Sequence, residues 1–332
     1  MPEKVYRAAI TIFDLGYNYE REIGILGNMG VRADYLPLEG TQDEDTVISA
    51  LTGYDFVLAG SEKWGAKAFE ALSPNLKLVV RLGTGLDSVD LHAASECGVL
   101  VCNAPGGNAC SVAQHALGLM LDLARSISRY DRYVKEDLPI RKVMAEDIIG
   151  KTVGLLGFGA IARELAKLLS GFSCEILAYD IRWNDEAARA LQVQYAGPDE
   201  LAAKSDYLSV HLPLLPATRG MIGREMLWQM KPSAYLINTS RSGVICEDEL
   251  VEALICGRIA GAGLDVWEKR PFGEANSFAK LENVVLTPYV AFSGRLGNER
   301  TADLAIGSID DFLNRRPVRN QVNLNAKNGA SL

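Results

Sequence analysis

The sequence predicts an α/β protein built on two parallel sheets, and three observations carry that prediction. Apolar runs of strand length alternate with helix-length periodic segments along the chain, the pattern of βαβ units rather than of a sandwich or a bundle. These runs fall into two series separated by a long amphipathic stretch. The second series opens on a glycine turn set between a strand and a helix, the arrangement of a dinucleotide-binding unit.

In the first series the strands are Arg7 to Phe13, Arg32 to Pro37, Phe56 to Ala59, Leu76 to Arg81 and Val99 to Asn103, with Ala-, Glu- and Leu-rich helices between most of them. One helix is expected from Ser111 to about Val134, with Ala113, Ala116, Leu117, Met120, Leu121 and Ala124 on one face. That face suits core packing, and a helix of this length between two domains also suits a hinge or a dimer contact. The second series comprises Thr152 to Leu156, Glu175 to Tyr179, Tyr207 to His211, Tyr235 to Asn238, Gly261 to Asp265 and Val284 to Thr287. The tail after Asn325, rich in Asn, Gly, Ala and Ser, is expected to stay disordered.

With 332 residues, 48% of them hydrophobic, two domains of ordinary size can each bury a core. The net charge of -8 comes from acidic and basic residues mixed along the chain, with no basic block to neutralise phosphates, which excludes nucleic acid as a partner. No apolar run approaches the roughly 20 residues of a membrane span, and no apolar signal segment follows Met1-Pro2-Glu3-Lys4. A soluble cytoplasmic protein is expected. The six cysteines (Cys97, Cys102, Cys110, Cys174, Cys246 and Cys256) form no C-x-x-C pair, and only three histidines accompany them. They read as reduced core residues, with no metal site.

The strand Thr152 to Leu156 runs into Gly157-Phe158-Gly159-Ala160-Ile161-Ala162 and then into the helix former Arg163 to Leu169. The first glycine permits the tight turn, the second lets a pyrophosphate approach the helix N-terminus, and Ala162 takes the third, packing position. Asp180 ends the next strand about 20 residues on, where a carboxylate accepts hydrogen bonds from ribose hydroxyls and repels a 2′-phosphate. NAD is therefore the expected cofactor. Arg182 is the one residue nearby that could tolerate the phosphate, and it reads as a solvated surface side chain.

Several separated motifs resemble the D-isomer specific 2-hydroxyacid dehydrogenases. They are Val80-Arg81-Leu82-Gly83-Thr84-Gly85-Leu86-Asp87-Ser88-Val89-Asp90, Asn103-Ala104-Pro105-Gly106-Gly107-Asn108 and Ser111-Val112-Ala113-Gln114-His115-Ala116, then His211-Leu212-Pro213-Leu214 with Thr218, Asn238-Thr239-Ser240-Arg241, Gly263-Leu264-Asp265-Val266 and the ending Arg316-Pro317-Val318-Arg319-Asn320. The resemblance spans nearly the whole chain and points to the phosphoglycerate dehydrogenase and C-terminal-binding-protein-like branch. It implies a Rossmann-type doubly wound parallel sheet, residues 104–293, inserted into a flavodoxin-like substrate domain made of residues 1–103 and 294–332, with the chemistry in the cleft between them. It also implies cofactor contacts at Thr84, Ser111, Phe158, Gly159, Ala160, Ile161, Asp180, Pro213, Thr218, Thr239, Ser240 and Asp265. Asp265 would take the nicotinamide carboxamide, or else cap a helix.

The chemistry implied is hydride transfer between nicotinamide and a small anionic 2-oxo or 2-hydroxy acid, which needs fixed positive charge at the carbonyl and a titratable proton donor. Arg241 matches the family's catalytic arginine, whose planar fork suits a carboxylate and a carbonyl together. The turn Gly83-Thr84-Gly85 would offer backbone N–H groups to the substrate carboxylate. Arg81, Ser61 and Lys63 could add contacts or be ordinary surface residues. Two family residues are replaced: Arg270, before Pro271, stands at the catalytic glutamate, and Tyr289, after Thr287-Pro288, at the catalytic histidine. Gln114 stands where many relatives have Glu. Losing the pair together is self-consistent, because the glutamate without its histidine would be an unpaired buried charge. The expectation is an oxidoreductase with Arg241, Tyr289 and Arg270 as catalytic residues, in which Tyr289 or a bound water replaces the histidine as proton donor and Arg270 or Lys269 serves to make the tyrosine hydroxyl more acidic. The alternative is a catalytically silent NAD(H)-binding regulatory or interaction protein. A homodimer is expected in either case.

Overall fold

The computed structural model describes residues 5–13, 16–38, 40–140, 142, 144–268 and 276–323. Lys269, Arg270 and the tail after Asn325 lie outside the described residues. The chain divides into two compact units, Met1–Asn108 with Ser293–Leu332, and Ala109–Phe292.

The first unit alternates β1 (Tyr6–Ile10), α1 (Glu20–Asn28), β2 (Val31–Tyr35), α2 (Glu44–Leu51), β3 (Phe56–Ala59), α3 (Ala66–Leu72), β4 (Leu78–Arg81), α4 (Leu91–Glu96) and β5 (Leu100–Asn103). Its sheet is parallel with order β2-β1-β3-β4-β5, the flavodoxin-like doubly wound order. All four residues of β3 are buried, as an apolar run covered on both faces requires. Asp43 and Asp90 start α2 and α4 by accepting hydrogen bonds from first-turn N–H groups.

The second unit runs α5 (Ala109–Arg125), α6 (Ile127–Lys135), β6 (Thr152–Leu156), α7 (Ala160–Leu169), β7 (Glu175–Tyr179), α8 (Asp185–Leu191), β8 (Val193–Tyr195), α9 (Pro198–Lys204), β9 (Tyr207–Val210), α10 (Arg224–Gln229), β10 (Tyr235–Asn238), α11 (Glu247–Ile255), β11 (Gly261–Leu264) and β12 (Val284–Leu286). Its sheet is parallel in the Rossmann order β12-β11-β10-β9-β6-β7-β8. The chain then returns to the first unit through α12 (Arg295–Leu313). The fold is thus a Rossmann-type unit inserted into a flavodoxin-like one.

Three local expectations are corrected. The single helix from Ser111 to Val134 is two helices, because Ser126 takes a left-handed conformation (φ 53°) and Ser128 N–H turns back to donate to Asp122 Oδ1 at 2.8 Å. The buried face of α5 is Val112, Ala113, Ala116, Leu119, Met120, Leu123 and Ala124, with Leu117 and Leu121 at its margin. The edge strand β8 is not legible in advance, since of its three residues only Val193 is buried. The cysteines are all free, but only Cys102 is buried and Cys256 is exposed. No helix among the described residues is long and apolar enough to cross a membrane.

The open edge at β5 is covered by the segment after α12. Val322 N–H donates to Val101 O at 2.9 Å, and the Asn323 side chain acts as a further peptide group, accepting from Val101 N–H at 2.8 Å and donating to Val99 O at 2.9 Å. Asp311 anchors this segment: the Arg319 guanidinium bonds both carboxylate oxygens (2.6 and 3.0 Å), and Arg316 Nε adds a third contact at 3.0 Å. These cations hold the Asp311 carboxyl well below the usual carboxylate range, Arg319 above all. A lowered folded pKa contributes stability that is present above the unfolded value of about 4 and is lost as pH falls further. Asp311→Asn is therefore expected to lower the melting temperature at pH 7 by about 2–4 °C and to flatten its pH dependence below about pH 4, as thermal scans would read.

Candidate active site

In a parallel sheet every strand delivers its following loop to the same edge, so the second unit's site can be read strand by strand. Gly157 follows β6, Asp180 follows β7, Pro213 follows β9, Thr239 to Arg241 follow β10, Asp265 follows β11, and Tyr289 lies just beyond β12.

The glycine turn is shaped for an anion. Gly157 has φ +100°, and a Cβ there would meet the His211 carbonyl oxygen at 2.7 Å, so only glycine fits. A Cβ on Gly159 would have nothing within 4 Å, which leaves open space at the start of α7. No side chain caps this helix, so its first N–H groups are offered outward. Ala160 and Ile161 form the first two helical residues rather than part of the turn, and buried Ala162 packs the helix on the sheet. Phe158 is buried, its ring stacked on that of Trp183 at 5.2 Å, and the Arg163 guanidinium lies over the Phe158 ring, 5.3 Å from its centroid. Asp180 is half-buried, its oxygens accepting from Phe158 N–H and Arg182 N–H at 2.8 Å each. The Arg182 residue is exposed. These features fit a dinucleotide: an open helix start beside a carboxylate held by the turn itself.

Pro213 and Thr218 close one loop, the Thr218 hydroxyl donating to Pro213 O at 2.6 Å and accepting from Leu215 N–H at 2.8 Å. Before it, both ring nitrogens of His211 are buried without a hydrogen-bond partner among the described residues, and burial pushes its pKa down to about 4, so the ring is neutral at pH 7. After β10, fully buried Asn238 organises the turn: its Oδ1 accepts from Ser240 N–H and Oγ, and its Nδ2 donates to Arg241 O. Thr239 is buried in the same turn, and half-buried Arg241 bonds Ser240 O through Nη1 at 2.9 Å.

Asp265 is 1% exposed and caps no helix among the described residues. Its carboxylate accepts from Val290 N–H (3.0 Å), Ala291 N–H (2.9 Å) and the Thr287 hydroxyl (2.6 Å). Its backbone carbonyl accepts from Tyr289 N–H at 2.9 Å, and Tyr289 is held at φ +57° with its ring 5.6 Å from that of Phe292. His115, on α5, extends this network, with Nε2 2.8 Å from Thr287 Oγ1. Thr287 has one hydroxyl proton and gives it to the carboxylate, so His115 must donate through Nε2. This role is not legible in the sequence, where His115 is only part of a motif 172 residues from its partner. Ser111 lies half-buried in the first turn of the same helix.

The remaining expected residues belong to the first unit. Ser61 and Lys63 are exposed in the loop after β3, and Thr84 is exposed after β4. Gly83 has φ +143°, with space for a Cβ taken by Arg81 Nη1 at 2.8 Å, and half-buried Arg81 bonds Leu82 O beneath the Gly83-Thr84-Gly85 turn. The turn thus has a cation behind it. Arg270 lies outside the described residues.

Residues 117–291 match the family model of the D-isomer specific 2-hydroxyacid dehydrogenase, NAD binding domain. The chain belongs to this family. The cofactor of this family member is NAD, and the open turn before α7 with Asp180 beside it suits it. It is 38% identical over 305 residues to the D-3-phosphoglycerate dehydrogenase of Archaeoglobus fulgidus, covering 88% of this chain and 57% of that one. Over 255 residues it is 38% identical to the hydroxypyruvate reductase of Thermotoga maritima, covering 76% and 82%. The chain therefore spans little more than half the length of the first relative and most of the second. The solved pyruvate reductase of Chlamydomonas reinhardtii superposes with a TM-score of 0.82 at 29% identity, over 95% of this chain and 98% of that one.

Proposed function

We propose that this family member is an NAD-dependent oxidoreductase that interconverts a small 2-oxo acid and its 2-hydroxy acid. The observation that carries the reading is the shared sheet edge: the glycine turn, Asp180, Arg241, Asp265 and the Tyr289 turn all follow strands of one parallel sheet. The bound nicotinamide supplies or accepts the hydride. The chain supplies the rest. Arg241 holds the acid and polarises its carbonyl, and the Tyr289 hydroxyl gives the substrate oxygen its proton in reduction and takes it back in oxidation. The Gly83-Thr84-Gly85 turn of the first unit, with Arg81 behind it and Ser61 and Lys63 in the neighbouring loop, receives the substrate carboxylate.

Thr84, Ser111, Phe158 to Ile161, Pro213, Thr218, Thr239, Ser240 and Asp265 serve the dinucleotide, and the Asp265 carboxylate also fixes the turn that presents Tyr289. Arg270 or Lys269 supplies the cation that the Tyr289 hydroxyl needs. The compartment is the cytoplasm. The test is NADH oxidation against a panel of 2-oxo acids; if NADH binds but none is turned over, the chain is an NAD(H)-binding regulatory or interaction protein instead.

Asp180 sets cofactor choice in this reading. NAD(H) should bind about 10²-fold more tightly than NADP(H), because a 2′-phosphate would face the carboxylate, and Asp180→Ala should narrow the gap. Calorimetry giving equal affinities for the wild type would remove the basis for this assignment.

The same reading includes a two-fold dimer through α5, α6 and the residues after them. Ile127, Val134, Leu138, Ile140, Met144 and Ile149 expose apolar side chains along this stretch. Light scattering at micromolar concentration should give twice the chain mass, and a monomer would rule the dimer out.

A further inference from the structure

The carboxyl edge of the first unit's sheet holds an acidic group that the reaction above does not use. Glu62, between Ser61 and Lys63, is fully buried. Gly60 N–H and the Trp64 indole N–H, which can only donate, each reach its Oε1 at 3.2 Å, and the Thr11 hydroxyl bonds the same oxygen. Oε2 is buried with no hydrogen-bond partner among the described residues. A carboxyl group placed so is costly, and an apolar side chain of similar size would fill a purely structural position more cheaply.

Its location gives the cost a reason. The order β2-β1-β3-β4-β5 reverses direction between β1 and β3, and open α/β sheets bind ligands in the crevice at the carboxyl ends of such a pair. Thr11 follows β1 and Gly60 to Trp64 follow β3, so the Glu62 bonds span this crevice. Trp64, also fully buried, carries the constraint onward: its backbone N–H donates to Ser88 O and its backbone carbonyl accepts from Asp90 N–H, both at 2.8 Å. Ser88 and Asp90 lie just beyond the Gly83-Thr84-Gly85 turn. Lys63 N–H is tied to Thr41 O at 2.9 Å.

We propose that Glu62 is a positioning residue: by bonding Thr11, Gly60 and Trp64 across the β1–β3 crevice, it sets the Ser61–Lys63 loop against the Gly83–Gly85 turn and so governs affinity for the substrate carboxylate. This rests on the reading of those two segments as substrate-facing. Glu62 does not touch the reacting atoms, so its signature is on KM and not on kcat.

The experiment compares the wild-type chain with Glu62→Gln and Trp64→Phe, using glyoxylate, pyruvate and hydroxypyruvate as substrates and oxalate binding by calorimetry with NADH present. Each variant should raise KM and the oxalate Kd by about five- to tenfold, with kcat within about twofold. Trp64→Phe removes one of the three hydrogen bonds to Oε1, and Glu62→Gln, whose amide oxygen still accepts them, removes the charge and puts an amide N–H group at the buried Oε2 position. The double variant should be no worse than about the poorer single one, since both act through the same contact. Unchanged KM and oxalate affinity, whatever happens to the melting temperature, would overturn the proposal. Should Glu62→Gln fail to fold, Trp64→Phe decides alone. If the wild type reduces none of the acids yet binds oxalate, and the variants bind it more weakly, the positioning role stands while the oxidoreductase reading falls. If the wild type binds no oxalate and reduces no acid, both fall.

Discussion

Arg241→Ala is expected to lower kcat/KM for the 2-oxo acid by about 10³-fold or more, since it removes both a substrate contact and the charge that polarises the carbonyl. The side chain emerges from a turn fixed by Asn238, whose amide bonds both Ser240 and the Arg241 carbonyl, so the backbone should keep its shape when the guanidinium is removed. Arg241→Lys should recover little, because a single ammonium cannot bond a carboxylate and a carbonyl together as the planar fork does. Steady-state kinetics with NADH affinity as the control would check this. A loss within tenfold would mean that another cation carries the carbonyl.

Tyr289→Phe is expected to lower turnover by the 10²- to 10⁴-fold loss typical of a missing general acid, roughly, while NADH affinity hardly changes. The position is held by its backbone, through Tyr289 N–H on the Asp265 carbonyl and the neighbouring N–H groups on the Asp265 carboxylate. Removing the hydroxyl therefore leaves the turn in place, and the lost rate reports chemistry. Tyr289→His alone should lose turnover much as Tyr289→Phe does, and adding Arg270→Glu should restore detectable 2-oxo acid reductase activity, because a histidine donor and a carboxylate act as a unit. If Tyr289→Phe leaves turnover intact, the donor is a water or Lys269.

Much of this architecture is legible in the sequence because it is local. A strand buried on both faces must be a continuous apolar run, as in Phe56 to Ala59, and a glycine at φ +100° must be a glycine, as at Gly157. The turn between β6 and α7 is contiguous in the chain, so its geometry is carried by consecutive residues. The alternation of strand and helix gives the α/β class for the same reason.

What the tertiary structure alone decided is which distant residues meet and which charges are buried. The helix break at Ser126 carries no proline or glycine to announce it, and it depends on how Asp122 and Ser128 pair. His115 acquires its role from Thr287 and Asp265, which the folded sheet brings to it. Nothing in its loop sequence marks Glu62 as buried, and only the fold brings Thr11 and Trp64 to enclose it. Periodicity and turn chemistry are properties of neighbours along the chain, whereas burial and hydrogen-bond partnership are properties of neighbours in space, and only the packed sheets define those.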